Sequence, residues 1–75
     1  MVDKYELRHQ LLIRGLSYKE VAKDLGITLN AFSRKVNNIT EFKASEIMKL
    51  YKLLNLDSYD IFFTDTSEYN SRYGR

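Results

Sequence analysis

Ser17-Tyr18-Lys19-Glu20-Val21-Ala22-Lys23-Asp24-Leu25-Gly26-Ile27-Thr28-Leu29-Asn30-Ala31-Phe32-Ser33-Arg34-Lys35-Val36 is the stretch from which the fold is read. Ser17 and Glu20 stand three apart, as a capping box requires. The Ser17 hydroxyl accepts from the Glu20 amide, and the Glu20 carboxylate returns to the Ser17 amide. Leu16 and Val21 flank that start as a hydrophobic staple. Thr28 is placed to cap a second helix, with Ile27 and Phe32 spaced as its staple. Between the two, Gly26 lets the chain leave the first helix through a left-handed conformation that costs other residues about 1–2 kcal/mol. The stretch predicts two short helices, about 18–25 and 29–37, joined by a tight turn.

Outward from this unit the chain continues as helices. Residues from Asp3 to Arg14 place Leu7 and Leu11 one turn apart with Leu12 beside them, and Gly15 supplies a left-handed stop. After the second short helix, Asn37-Asn38 favours a turn, because asparagine tolerates positive φ. Ile39 to Lys43 reads as a loop anchored by Phe42. Ile47, Leu50, Tyr51 and Leu54 repeat with helical period over about 44–55. Asp57, followed three residues later by Asp60, predicts a cap for a short helix over 58–63. The remainder, 64–75, is polar and without periodic apolar residues, so it is expected to be a flexible tail in which Tyr69 and Tyr73 are the residues able to dock. The reading is therefore all-α: a five-helix domain over 1–63, then a polar tail over 64–75.

Composition bounds the function. Seventy-five residues make one small domain with a limited core. The chain has no cysteine, which removes disulfides and thiolate metal ligands and points to a reducing cytoplasm. No apolar run exceeds three residues, so a membrane partner is not expected. The net charge of +2 says little alone, but residues 14–43 carry six basic against three acidic side chains. The positive excess lies with the two-helix unit and favours a polyanion partner.

Gly15 to Ala22, then Leu25-Gly26-Ile27-Thr28, resembles the second helix and turn of the phage Cro and repressor type of helix–turn–helix domain, the XRE family. Small Ala22, Gly26 and apolar Phe32 carry the steric signature of a close helix crossing. Ala31 to Asn37, Glu41-Phe42-Lys43, Glu46-Ile47 and Leu54-Asn55-Leu56 further resemble small regulators from phages of Gram-positive bacteria. The resemblance covers about residues 7–63 and implies a lambda-repressor-like fold and a DNA ligand. Two positions depart from it. Lys35 stands where the family has an apolar residue, so Val36 is expected to take over the packing while the Lys35 ammonium reaches out. Asn37-Asn38 replaces the family's Asn-Gly.

In this docking mode the start of the third helix enters the major groove. Leu29, Asn30, Ser33 and Arg34 face away from Phe32 and Val36 and are the expected base contacts. Asn pairs with adenine N6/N7 and Arg with guanine O6/N7, each for about 1–3 kcal/mol of discrimination. Leu29 suits a thymine methyl. Ser17, Tyr18, Lys19, Thr28, Lys35, Asn38 and Lys43 are the expected phosphate contacts, from helix N-termini and sequence-blind lysines. One such unit makes few base contacts, so a homodimer on a palindromic operator is expected, with Ile61, Phe62 and Phe63 as its interface.

Catalysis finds no support. His9 is the single histidine and lacks a carboxylate spaced to orient it. Asp57 and Asp60 serve as a cap and a first-turn acid. No phosphate loop, nucleophile elbow or zinc spacing occurs, so no enzyme, metal, cofactor or small-molecule ligand is expected. The alternative is a protein-interaction module or antirepressor on the same scaffold, gripping another regulator through the third helix or through Phe62 and Phe63.

Overall fold

The computed structural model describes residues 1–74. It contains five α-helices and no strand among the described residues: α1 Lys4–Ile13, α2 Tyr18–Leu25, α3 Leu29–Val36, α4 Ala44–Leu53 and α5 Thr66–Tyr73, with a 3₁₀ turn at Asp60–Phe62 before the last. None is long and apolar enough to cross a membrane. The expected helix boundaries over α1 to α4 are met to within two residues, because each rests on a local signal. Ser17 accepts from the Glu20 amide at 3.1 Å while Glu20 accepts from the Ser17 amide at 3.1 Å, closing the capping box. Thr28 accepts from the Ala31 amide at 3.1 Å. Gly26 ends α2 at φ 74° and ψ 28°, and Asn38 turns the chain after α3 at φ 63°.

The core gathers one apolar stripe from each of α1 to α4. Leu7 and Leu11 of α1, Val21, Ala22 and Leu25 of α2, Phe32 and Val36 of α3, and Leu50 and Leu54 at α4 are all buried, joined by Val2 and Phe62. An aromatic chain runs through it. Tyr18 meets Phe32 at 5.1 Å, Phe32 meets Phe42 at 5.9 Å, and Phe42 meets Phe62 at 5.9 Å between ring centroids. All three pairs are edge-to-face, the arrangement the ring quadrupole favours. The chain links the start of α2, the middle of α3, the loop before α4 and the 3₁₀ turn.

The C-terminal third departs from expectation. The helix expected over 58–63 is one 3₁₀ turn, and Asp57 does not cap it. The Ser58 hydroxyl instead accepts from the Asp60 amide at 3.3 Å. Tyr59 stacks on Tyr51 of α4 at 4.2 Å, which holds the segment flat against that helix. Residues 1–3 then pair with 61–64 in an extended manner: the Asp3 amide donates to the Ile61 carbonyl at 2.7 Å and the Thr64 amide to the Met1 carbonyl at 3.0 Å. That pairing draws the chain out of helical geometry.

Residues 66–73, expected as part of an unstructured tail, form α5. Asp65 caps it by accepting from the Glu68 amide at 2.7 Å. Its inner edge packs on α1, where Tyr5 lies 6.2 Å from Tyr69 and 4.8 Å from Tyr73. The Tyr73 hydroxyl donates to the Asp3 carboxylate at 2.7 and 2.9 Å, and Arg72 donates to the same group at 2.5 Å. Asp3 is wholly buried and also caps α1 through the Glu6 amide at 3.1 Å. A buried carboxylate without partners is expensive, so the two side chains that α5 brings to it, Arg72 and Tyr73, account for the docking of that helix.

Candidate nucleic-acid interface

α3 is short, and its two faces differ in kind. Phe32 and Val36 have no exposed surface and fasten the helix to the core. On the other side Leu29, Asn30 and Arg34 are exposed, Leu29 with 49% of its surface, while Ser33 is half-buried. Among the described residues no hydrogen bond or ion pair engages the side chains of Asn30 or Arg34. Asn37, beyond the helix end, donates from its side chain to the Ser33 carbonyl at 2.9 Å and lies 3.5 Å from the Ser33 hydroxyl. The four expected base-contact positions therefore share one outward face. A planar amide, a guanidinium and an apolar tip stand on it without intramolecular partners.

The seven expected phosphate contacts divide. Ser17 and Lys19 are exposed at the start of α2, and Tyr18 between them is half-buried with its ring edge on Phe32. Burial raises the Tyr18 phenol above its ordinary value, more than the positive charge of Arg8 lowers it, so the hydroxyl stays a neutral donor. Thr28 is exposed, and its oxygen accepts from the Ala31 amide, which leaves the hydroxyl proton free to donate. Lys43 is exposed and stands immediately before α4, as the N-cap residue of that helix.

Lys35 and Asn38 are committed elsewhere. The Lys35 ammonium does not reach into solvent. It lies 2.6 Å from Glu46 of α4, with side-chain exposures of 11% for Lys35 and 7% for Glu46. The same Glu46 oxygen accepts from the Lys43 amide at 2.8 Å. Burial alone would raise the Glu46 carboxyl. The Lys35 and Lys43 hydrogen bonds, with the charges of both lysines, outweigh it and hold the group below the usual carboxylate range. Asn38 accepts from the Val2 amide at 2.7 Å and donates to the Val2 carbonyl at 3.0 Å. It fastens the end of α3 to residues 1–3, and both ends of its side-chain amide are used.

Sequence reading missed Glu46. Its signal was present, since Glu46 stands three after Lys43 at the mouth of an apolar repeat, where a carboxylate returns to the cap amide. The single lysine in an apolar place on α3 called for such a partner.

The three residues expected at a dimer interface also divide. Phe62 is 4% exposed and belongs to the aromatic chain of the core, so it cannot face a partner. Ile61 is half-buried. Phe63 keeps 67% of its surface exposed, beside a groove of about 390 Å³ whose lining includes Met1, Phe42 and Ile47.

A family model described as the Cro/C1-type HTH DNA-binding domain matches residues 6–66, from α1 to the first residue of α5. No curated protein and no solved structure matches the chain.

Proposed function

The chain belongs to the Cro/C1-type helix-turn-helix DNA-binding family, and from that premise we propose that it is a sequence-specific, Cro-like regulator of transcription that lays α3 in the major groove of a double-stranded operator. The observation that carries this reading is the unpartnered polar face of α3. Asn30 and Arg34 are exposed one helical turn apart, and the opposite face of the helix is locked into the core by Phe32 and Val36. A reader of base edges needs this combination of rigid backing and free donors. Asn30 would take adenine, Arg34 guanine, Leu29 a thymine methyl, and Ser33 either kind of edge.

Phosphate anchorage in this reading falls to Ser17, Tyr18 and Lys19 at the start of α2, to Thr28 before α3, and to Lys43 before α4. These sites flank the recognition helix in the chain on both sides. Two copies on a palindromic operator would double the base contacts. Phe63, with Ile61 at its edge, is the surface offered for that pairing. Occupying such an operator excludes competing proteins from it, and no catalytic step is needed.

The test is an alanine pair. Asn30→Ala/Arg34→Ala should leave helical circular dichroism unchanged and remove the preference for an operator selected from a random duplex library over an unselected duplex. Each lost pair is worth about 1–3 kcal/mol of discrimination. Undiminished preference in the folded double variant rejects the reading.

A further inference from the structure

The ion pair between α3 and α4 is oddly placed for a chain that binds a polyanion. It withdraws a lysine from the helix that faces the ligand and neutralises it with a carboxylate. Stability alone does not call for this, since two apolar side chains of similar volume commonly serve a buried site as well or better. The pair does supply direction. Apolar contact is indifferent to small slides, whereas an ammonium and a carboxylate at 2.6 Å define a distance and an approach.

The carboxylate has two duties at once. One Glu46 oxygen receives the Lys35 ammonium from α3 and the Lys43 amide at the head of α4. Lys43 is one of the phosphate anchors of the proposed interface, the one at α4, and Lys35 follows Arg34, its guanine reader. Between them the chain runs through 37–42, where Asn38 is tied to Val2 and Phe42 is set between Phe32 and Phe62. Base-reading face and phosphate anchor are thus joined through a single oxygen atom.

We propose that Lys35 and Glu46 are positioning residues, which hold α3 and the Lys43 end of α4 in the one relative placement that lets base readout and phosphate anchorage fall on a duplex together. The inference rests on the DNA-reading assignment above and deepens it. Lys35 itself touches no phosphate in the bound state.

The full chain and its Lys35→Met, Glu46→Gln and Lys35→Met/Glu46→Gln variants are titrated with a selected operator and with an unselected duplex across a range of salt. Residual dipolar couplings of the free proteins report the placement of α3 against α4. Each single variant is expected to lose about tenfold in discrimination, the worth of one misplaced base contact. The double variant should lose no more than either single, and the slope of log affinity against log salt should stay that of the unmodified chain. The couplings should report a shifted α3 with helical circular dichroism unchanged.

A salt slope shallower by about 0.9 in Lys35→Met would make Lys35 a phosphate ligand and overturn the proposal. Discrimination kept in the folded variants would reduce the pair to a structural one and overturn it equally. Where a single variant does not fold, Lys35→Met/Glu46→Leu fills the site without charge, and it should be stable yet poorly discriminating. An unmodified chain that prefers no duplex defeats the DNA reading. Placement is then decided by the couplings, and an α3 unmoved in both single variants sinks the positioning role.

Discussion

At the scale of single residues, the turn of the motif depends on backbone conformation more than on space. Gly26 sits at φ +74°, and a Cβ added there would meet nothing within 4 Å. Gly26→Ala should therefore cost only the left-handed penalty of about 1–2 kcal/mol, with no packing loss, as read from urea unfolding at unchanged slope. Phe32 is the opposite case. It is wholly buried and touches rings on both sides, from α2 and from the loop before α4. Phe32→Ala should cost about 3–5 kcal/mol, which for a domain this small leaves a large unfolded fraction at room temperature. The same ring thus supports α3 from behind and the start of α2 from the side.

At the scale of elements, α4 is held at its head by charge, and this makes the fold sensitive to acid. Glu46 is depressed below its ordinary value of 4.5. A carboxylate depressed in the folded chain stabilises it above the unfolded value, and that stabilisation is lost as pH falls through the lower folded value. Melting temperature should accordingly decline below about pH 4.5, and Glu46→Gln should lie lower at neutral pH but decline less steeply in that range. α3 depends on its own cap as well. Thr28→Ala removes the acceptor of the Ala31 amide and should cost about 1 kcal/mol, seen as a lower urea midpoint. Removing the cap also loosens the turn that carries Leu29 and Asn30, so operator affinity should fall with it.

At the scale of the whole molecule, residues 1–3 act as a strap between distant parts of the chain. Val2 is held by Asn38 at the end of α3, Met1 and Asp3 pair with 61–64, and Asp3 receives Arg72 and Tyr73 of α5. Residues 61–64 and α5 are thereby tied to the end of α3 through three residues. Tyr73→Phe deletes a donor to a buried carboxylate and should cost about 1–2 kcal/mol, somewhat less than a fully enclosed bond because the ring is partly exposed. Self-association belongs to this scale too. Phe63→Ser should weaken any dimer seen by sedimentation while leaving the melting temperature of the monomer nearly unchanged. Phe62→Ser should unfold the chain instead, because one phenylalanine faces solvent and its neighbour faces the core.

The sequence by itself determined the helix–turn–helix. Capping at Ser17 and Thr28, the left-handed glycine and the apolar spacing all act within four residues, and such short-range effects are written in local order. It also showed which face of α3 turns outward, since helical period and the burial of Phe32 and Val36 leave Leu29, Asn30 and Arg34 no other side. The signal for α5 was there in Asp65 and Glu68, but a cap without an apolar stripe commits no chain to a helix until something receives it. Only the tertiary structure decided what does. Tyr73 meets Asp3 across 70 positions, Asn38 meets Val2 across 36, and Lys35 meets Glu46 across 11. Each of these draws a polar group out of water, and whether that is favourable depends on a partner delivered by the closure of the whole fold.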